Sequence, residues 1–422
     1  TQESAGRAAP VRTNPDMIRN PHEERLFEYY TTSQLTLVDA VAGTAKPVGA
    51  PDLWWSVDPA PDGQHLLTRR IRKPFSYLYP ATSFPRDWDV IDLTGNVVYS
   101  VAKLPLADRV PIGGVSTGPR DIQWHPTQPS TLYWVEALDG GNPKEKVPHR
   151  DRILRFQVPT RMAPAEVLKT EHRLSSLDFG DTFALVSDFE RDKRWLRTYH
   201  VVLDGSRPPK LLFERNQQDR YKDPGRALER TLPSGQRVVL SEQGSLFLSG
   251  NGASPKGDQP FLDRLDVETG AKKRLFQSDP SKYQTVVGLL DPDGSRVLIQ
   301  SESPTEPPNY FIRDAAGKMT AVTNFADPTP QVRGITKQRV TYQRADGVPL
   351  SMTLYLPPGY RPGTRLPAFM WAYPLEYNDA DTAGQITGST QRFTAFGGGA
   401  SHLYLLLAGY AILDNASLPV IG

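Results

Sequence analysis

With 422 residues, the chain is long enough for two or more domains with sizeable cores, and its 38% hydrophobic and 23% charged residues are ordinary for a globular protein. A formal net charge of +2, without any Lys/Arg run, argues against nucleic acid as a partner. The absence of cysteine excludes disulfides, thiolate metal sites and a cysteine nucleophile.

Residues 1–24 are polar and Pro-containing and read as a flexible lead-in. A short alternating strand, Gln34 to Val38, follows. From there one element recurs five times, a Pro/Asp/Gly/Ser-rich turn followed by an apolar strand. The turns are Pro61-Asp62-Gly63, Gln128-Pro129-Ser130, Gly180-Asp181, Pro233-Ser234-Gly235 and Pro292-Asp293-Gly294. A short apolar strand precedes each turn, so each unit reads as a hairpin from the middle of a propeller blade. A second element lies between them, a strand, a turn and a strand, as at Val90 to Gly95, Leu262 to Gly270 and Tyr310 to Gly317. Gln34 to Val38 looks like a copy of this second element without its hairpin. An open propeller would leave an unpaired sheet edge, so the expectation is a blade whose inner strands lie before Thr1.

Asp327-Pro328-Thr329-Pro330 reads as an interdomain linker. Beyond it come a hairpin around Asp346-Gly347, a buried strand from Ala368 to Tyr373, a polar loop, a helix near His402 to Leu407 and a strand from Ala411 to Leu413. The expected fold class is therefore mainly β: a β-propeller over 25–330, seven-bladed when complete and truncated here, followed over 331–422 by the first strands of an α/β-hydrolase domain. In that fold the serine lies on a strand-to-helix elbow, with the acid and histidine after it in chain order. No such elbow follows these strands here.

Gly114-Val115-Ser116-Thr117-Gly118 matches G-x-S-x-G, but Val110-Pro111-Ile112-Gly113 before it and Pro119-Arg120-Asp121 after it are neither a buried strand nor a helix. It is read as a loop between blades, and Ser116 is not assigned as a nucleophile. The seven histidines are scattered, with no helical metal spacing, so surface or strand positions and no metal are expected. No phosphate loop or dinucleotide fingerprint occurs, and no cofactor is implied. No apolar run approaches the ~20 residues of a membrane helix. Lack of cysteine suits reducing and extracytoplasmic settings alike. A soluble protein is expected, periplasmic or secreted among the options, with the compartment left open.

Several strings are long enough to be specific. In the tail they are Trp371-Ala372-Tyr373-Pro374, Asp381 to Ser389 and Ile412 to Gly422. In the propeller region they include Tyr29 to Leu35, Lys73-Pro74-Phe75-Ser76-Tyr77, Ser130 to Glu136 with Asp139-Gly140-Gly141, and Glu306-Pro307-Pro308-Asn309-Tyr310. From Glu23 onward the chain resembles the glutamyl endopeptidase branch of the prolyl oligopeptidase family of serine peptidases.

The resemblance implies a propeller capping a hydrolase domain, with a Ser-Asp-His triad encoded beyond Gly422, acyl-enzyme chemistry on peptides or unfolded segments, and no cofactor. It makes the rest of the hydrolase domain a required partner. Tyr373 matches the family's side-chain oxyanion donor, whereas the residues alone would read as a strand-end aromatic in a core. Cleavage after glutamate needs a cationic pocket, since a buried unpaired carboxylate is costly, and arginine suits it best. Arg70, Arg72 and Lys73 follow the first hairpin beside Pro74-Phe75-Ser76-Tyr77, and Arg191, Lys193 and Arg194 follow the third. Arg72 and Lys73 are ranked first, then Arg70, against a reading as solvated strand-end charge. The rival functions are a non-catalytic propeller that binds peptide or protein, and an acylaminoacyl-peptidase-like specificity.

Overall fold

The structure is a computed structural model describing residues 17–160, 162–399 and 401–422, all but the side chain of Gln331. Two compact units are resolved. One contains residues up to Phe189 with Val201–Pro209 and Thr231–Val238, and the other contains Glu190–His200, Lys210–Arg230 and Val239–Gly422.

The first unit opens on a helix, Pro21–Thr31. Asn20 caps it by accepting the His22 and Glu23 amides, each at 3.0 Å, and Pro21 needs no amide partner at that position. Residues 21–24, assigned by sequence to the flexible lead-in, are thus its first turn. The start of that lead-in, residues 1–16, lies outside the described residues. Phe27 holds the helix down, edge-on to Phe75 and Phe84 at ring distances of 5.2 and 5.8 Å. The expected early strand is Thr36–Asp39, paired antiparallel with Thr44–Pro47 in an exposed two-stranded sheet.

Two four-stranded antiparallel meanders follow. The first is Trp54–Pro59, His65–Ile71, Arg86–Asp92 and Val97–Leu104. The second is Arg120–Trp124, Thr131–Ala137, Asp151–Gln157 and Ala165–Thr170. Their faces share one core: Leu67 and Val90 from the first pack with Leu132, Trp134, Leu154 and Phe156 from the second. Covered on both faces, Thr131–Val135 is buried at every position instead of alternating. The hairpin Arg173–Phe179/Phe183–Glu190 follows.

In the second unit the hairpin Trp195–Val202/Lys210–Asn216 precedes two further sheets. One has Ser245–Gly250 and Phe261–Asp266 at its centre, and the other runs in order through Tyr283–Leu289, Val297–Glu302, Asn309–Arg313 and Met319–Ala321. Phe247, Leu262 and Phe276 of one pack against Val297 and Ile299 of the other. Four of the five sequence-read hairpins lie in four-stranded sheets, but each joins the edge strand to its neighbour and not, as expected, the middle pair. The turn Pro233-Ser234-Gly235 is a correction: it joins Glu229–Thr231 to Arg237–Val239 in a separate two-stranded sheet. Glu229-Arg230-Thr231 is polar and exposed and cannot line a blade interior, whereas Ser245–Leu248 is buried throughout.

The last sheet, also in the second unit, is mixed. Its order is Thr336–Gln343, Pro349–Leu356, Ala411–Ile421, Ala368–Tyr377. The first two pairings are antiparallel and the last is parallel. A parallel pair needs a long crossover, and residues 378–410 supply it. The helix expected near His402 is a 3-10 helix, His402–Ala408, and the Ala411 strand runs on to Ile421. The Ala368–Tyr373 segment, expected to be buried, is mostly exposed because its strand lies at the sheet edge with one neighbour. Among the described residues no helix is long and apolar enough to cross a membrane.

Candidate active site

Strand alternation on the mixed sheet builds a cationic face. Lys337 and Arg339 are two apart on Thr336–Gln343 and so point the same way, opposite Tyr355 and Thr353 of the next strand. They line a cavity of about 820 Å³ within the second unit. Tyr373 and Trp371 of the edge strand reach it, as do Arg220, Asp258, Glu302 and Arg392. Tyr373 is 73% exposed, and its hydroxyl makes no hydrogen bond to another described residue, which leaves the donor available.

The 381–389 stretch forms part of the cavity wall and is held by side chains. Gln385 Oε1 accepts the Arg220 amide at 2.7 Å, and its Nε2 donates to Asp219 at 2.8 Å. The Ile386 amide donates to the Tyr221 hydroxyl at 2.8 Å. Beyond it, buried Glu302 accepts the Phe393 amide at 2.8 Å and Arg392 Nε at 3.4 Å. Lys337 donates to the Arg392 carbonyl. Burial pushes the Lys337 ammonium down to about 8 against the pull of Glu302. Burial, reinforced by Asp414, pushes the Tyr355 phenol up to about 12. Burial also lowers Arg339 and raises Asp258.

The basic residues ranked first by sequence lie elsewhere, in the first unit, and do not line this cavity. Arg70 pairs with Asp52 at 3.4 Å and with buried Asp89. Arg72 pairs with Asp52 at 2.8 Å and Asp87 at 2.7 Å, and Lys73 pairs with Glu28 at 2.8 Å. Burial pushes Asp52 up, but hydrogen bonds from Arg72 and the Leu53 amide hold it below the usual carboxylate value. These cations are matched by carboxylates that the sequence reading had not paired with them. Of the second cluster, Lys193 pairs with Glu190 at 3.1 Å, and Arg194 reaches Glu376 at 3.8 Å and Asn378 at 3.2 Å.

The Gly114–Gly118 segment is irregular, as read. A Cβ on Gly114 would stand 2.4 Å from the Gly141 carbonyl oxygen, so the segment is a tightly packed loop. The histidines are less bland than expected. His65 bonds Asp62 at 2.7 Å, and His402 bonds Asp414 at 2.8 Å while stacking on Trp371. His125 is fully buried. No cluster of three or more His, Asp or Glu able to hold a metal occurs among the described residues.

Sequence reasoning missed Lys337, Arg339 and Arg392. A signal for the first two was present, two cations at strand period on the first hydrolase strand, but many exposed strands carry the same pattern.

This architecture, antiparallel meanders running into a mixed sheet, is shared with solved structures of peptidases. A Pyrococcus horikoshii acylaminoacyl peptidase superposes with a TM-score of 0.52 at 13% identity, over 91% of this chain and 54% of that one. A putative dipeptidyl aminopeptidase IV from Bacteroides ovatus gives 0.54 at 13% identity, over 91% and 58%. No protein-family model matches the chain. Sequence relatives are proteins named probable glutamyl endopeptidase, chloroplastic, from Oryza sativa subsp. japonica and Arabidopsis thaliana. They are 38% and 37% identical over 98% of this chain. The chain is therefore similar in sequence to these glutamyl endopeptidases and in fold to these solved peptidases. It spans about half the length of the curated relatives it matches, 46% and 45%.

Proposed function

We propose that this chain forms the propeller, over 25–330, and the leading hydrolase strands, over 331–422, of a serine endopeptidase that cleaves peptides after glutamate. The observation that carries this reading is the cavity that Tyr373 shares with Arg220, Lys337, Arg339 and Arg392. An oxyanion donor and a cationic pocket on one cavity wall are what cleavage beside an acidic side chain requires. A Ser-Asp-His triad from the rest of the hydrolase domain supplies the nucleophile. Serine attacks the carbonyl carbon, histidine takes the serine proton, and the carbonyl oxygen becomes an oxyanion. The Tyr373 O–H donates to that oxyanion, most effectively about 2.7–3.1 Å from it. Collapse releases the amine with the proton from histidine, and water hydrolyses the acyl-enzyme. The partners are a peptide substrate and the remaining hydrolase segment. Nucleic acid, membrane, metal and cofactor have no part in this scheme.

The test uses the full-length protein. It should label with a fluorophosphonate and cleave a Glu peptide at least ~10-fold better than its Gln isostere, because only the former offers a charge-assisted bond. Absence of labelling would favour a peptide-binding module. Labelling with release of N-acylated residues and no Glu preference would favour an acylaminoacyl-peptidase-like activity.

A further inference from the structure

The cavity's four basic side chains are not equivalent. Arg392 is bonded to Glu302 and lies 5.0 Å over the Tyr283 ring. Lys337 is spent on the Arg392 carbonyl. Arg220 is exposed, where water competes for any anion. Arg339 differs from all three. Its Nη2 donates to the Gly388 carbonyl at 2.9 Å, while its Nη1 is buried and has no hydrogen-bond partner.

The surroundings hold the guanidinium in place without a direct ion pair. The Asp258 amide donates to the same Gly388 carbonyl at 2.9 Å; the Asp258 carboxylate acts on Arg339 electrostatically but makes no ion pair with it, nor does any other described carboxylate. Gly257 sits at φ +101°, and a Cβ there would stand 2.9 Å from the Gly388 oxygen and 3.5 Å from both terminal nitrogens of Arg339. The glycine therefore leaves room for the Gly388 carbonyl that anchors the guanidinium. The result is a fixed, half-buried cation with one arm anchored and one arm unsatisfied, in a cavity that also holds Tyr373. A buried N–H without an acceptor is costly, and a carboxylate satisfies both the bond and the charge.

We propose that Arg339 is the residue that selects the glutamate side chain, its guanidinium lining the cavity and attracting the carboxylate while Gly388 anchors Nη2. This rests on the function proposed above, and it names a position on the first hydrolase strand in place of the basic cluster after the first propeller hairpin.

The test is the Glu-over-Gln ratio of kcat/KM for matched peptides in the full-length protein, with Arg339→Gln, Arg339→Lys and Arg72→Gln compared. Arg339→Gln should collapse the ratio about 100-fold, through loss on the Glu peptide. Arg339→Lys, which keeps the charge but loses the fork, should fall between. Arg72→Gln should leave the ratio unchanged. Gln-peptide turnover and the melting temperature report whether each variant folds. If Arg339→Gln fails to fold, the Arg339→Lys ratio decides alone, and an unchanged ratio overturns the assignment. A wild-type preference for Glu that survives in both Arg339 variants, or is lost in Arg72→Gln instead, overturns it while the specificity reading stands. A wild-type enzyme without Glu preference overturns both.

Discussion

His125 makes the stability of the first unit depend on pH in a window that can be stated in advance. Its ring is fully buried between Tyr133 and Phe179, with centroids at 5.8 and 4.7 Å. Nδ1 accepts the Thr127 and Gln128 amides at 3.3 and 3.2 Å, which fixes the neutral tautomer with the proton on Nε2. Burial pushes its pKa from 6.5 down to about 4, opposed by the charge of Asp181. The unfolded chain takes up this proton near 6.5 and the folded chain near 4. Between those values the unfolded state holds more protons, so stability falls as pH drops through the window. A gap of roughly 2.5 units at 1.36 kcal/mol each is about 3 kcal/mol, fully present above pH 6.5 and gone by about pH 4.

The assay is urea denaturation between pH 7.5 and 4, followed by tryptophan fluorescence, on wild type and His125→Asn. Asparagine can accept the same two amides as an Asx turn but does not titrate. The variant should be less stable at pH 7.5, by about 1–3 kcal/mol for the cavity it leaves, and should lose less on acidification. Paired carboxylates contribute equally to both proteins, so the difference between their slopes isolates the histidine. Parallel curves over pH 6.5–4 would refute the reasoning.

The remaining expectations concern catalysis and a second buried network. Tyr373→Phe in the full-length protein should lower kcat by about 100- to 1,000-fold with little change in KM, as loss of an oxyanion donor does; a change confined to KM would assign Tyr373 to ground-state binding. Since Lys337 loses its charge through about pH 8, the Glu-over-Gln ratio should decline between pH 7 and 9.5, and Lys337→Arg should flatten that profile; a wild-type ratio independent of pH would remove Lys337 from recognition. Asp151 has a fully buried side chain that bonds Arg120, Arg173 at 2.5 Å and the Leu174 amide at 2.7 Å. Asp151→Ala leaves Arg173 only its pair with Asp139 and Arg120 only the exposed Asp121 at 3.7 Å, and should cost about 3 kcal/mol, read as a fall in midpoint on chemical denaturation; a loss below about 1 kcal/mol would mean solvent reaches the pair.

Much of the architecture was legible because it is written locally. A turn such as Asp293-Gly294 between apolar runs specifies a hairpin whatever lies around it, and four of five such hairpins were located by that rule. The fifth misled because spacing alone was followed. Glu229-Arg230-Thr231 lacks the apolar content of an inner strand and sits in a separate two-stranded sheet, whereas the central pair of the following sheet begins at Ser245. The helix at Pro21 was passed over although Asn20, Pro21 and the two glutamates after it are cap signals; the polar composition of its surroundings hid them.

Charge was the opposite case. Arg72 and Lys73 stood out because they neighbour a family-like string, but the carboxylates that engage them lie 15 to 45 residues away. Arg339 gave no comparable signal, since an arginine in a polar strand is most often solvated.

The chain by itself therefore determined its strands, its turns and the passage from meanders to a mixed sheet, because period-2 burial and turn chemistry act over a few residues; Tyr373 as a candidate donor came from the family resemblance. Only the tertiary structure decided which cations are matched and which are left wanting an anion. The cavity joins side chains from Gln218 to Pro419, and a charge's partner is set by three-dimensional proximity, which no local pattern records.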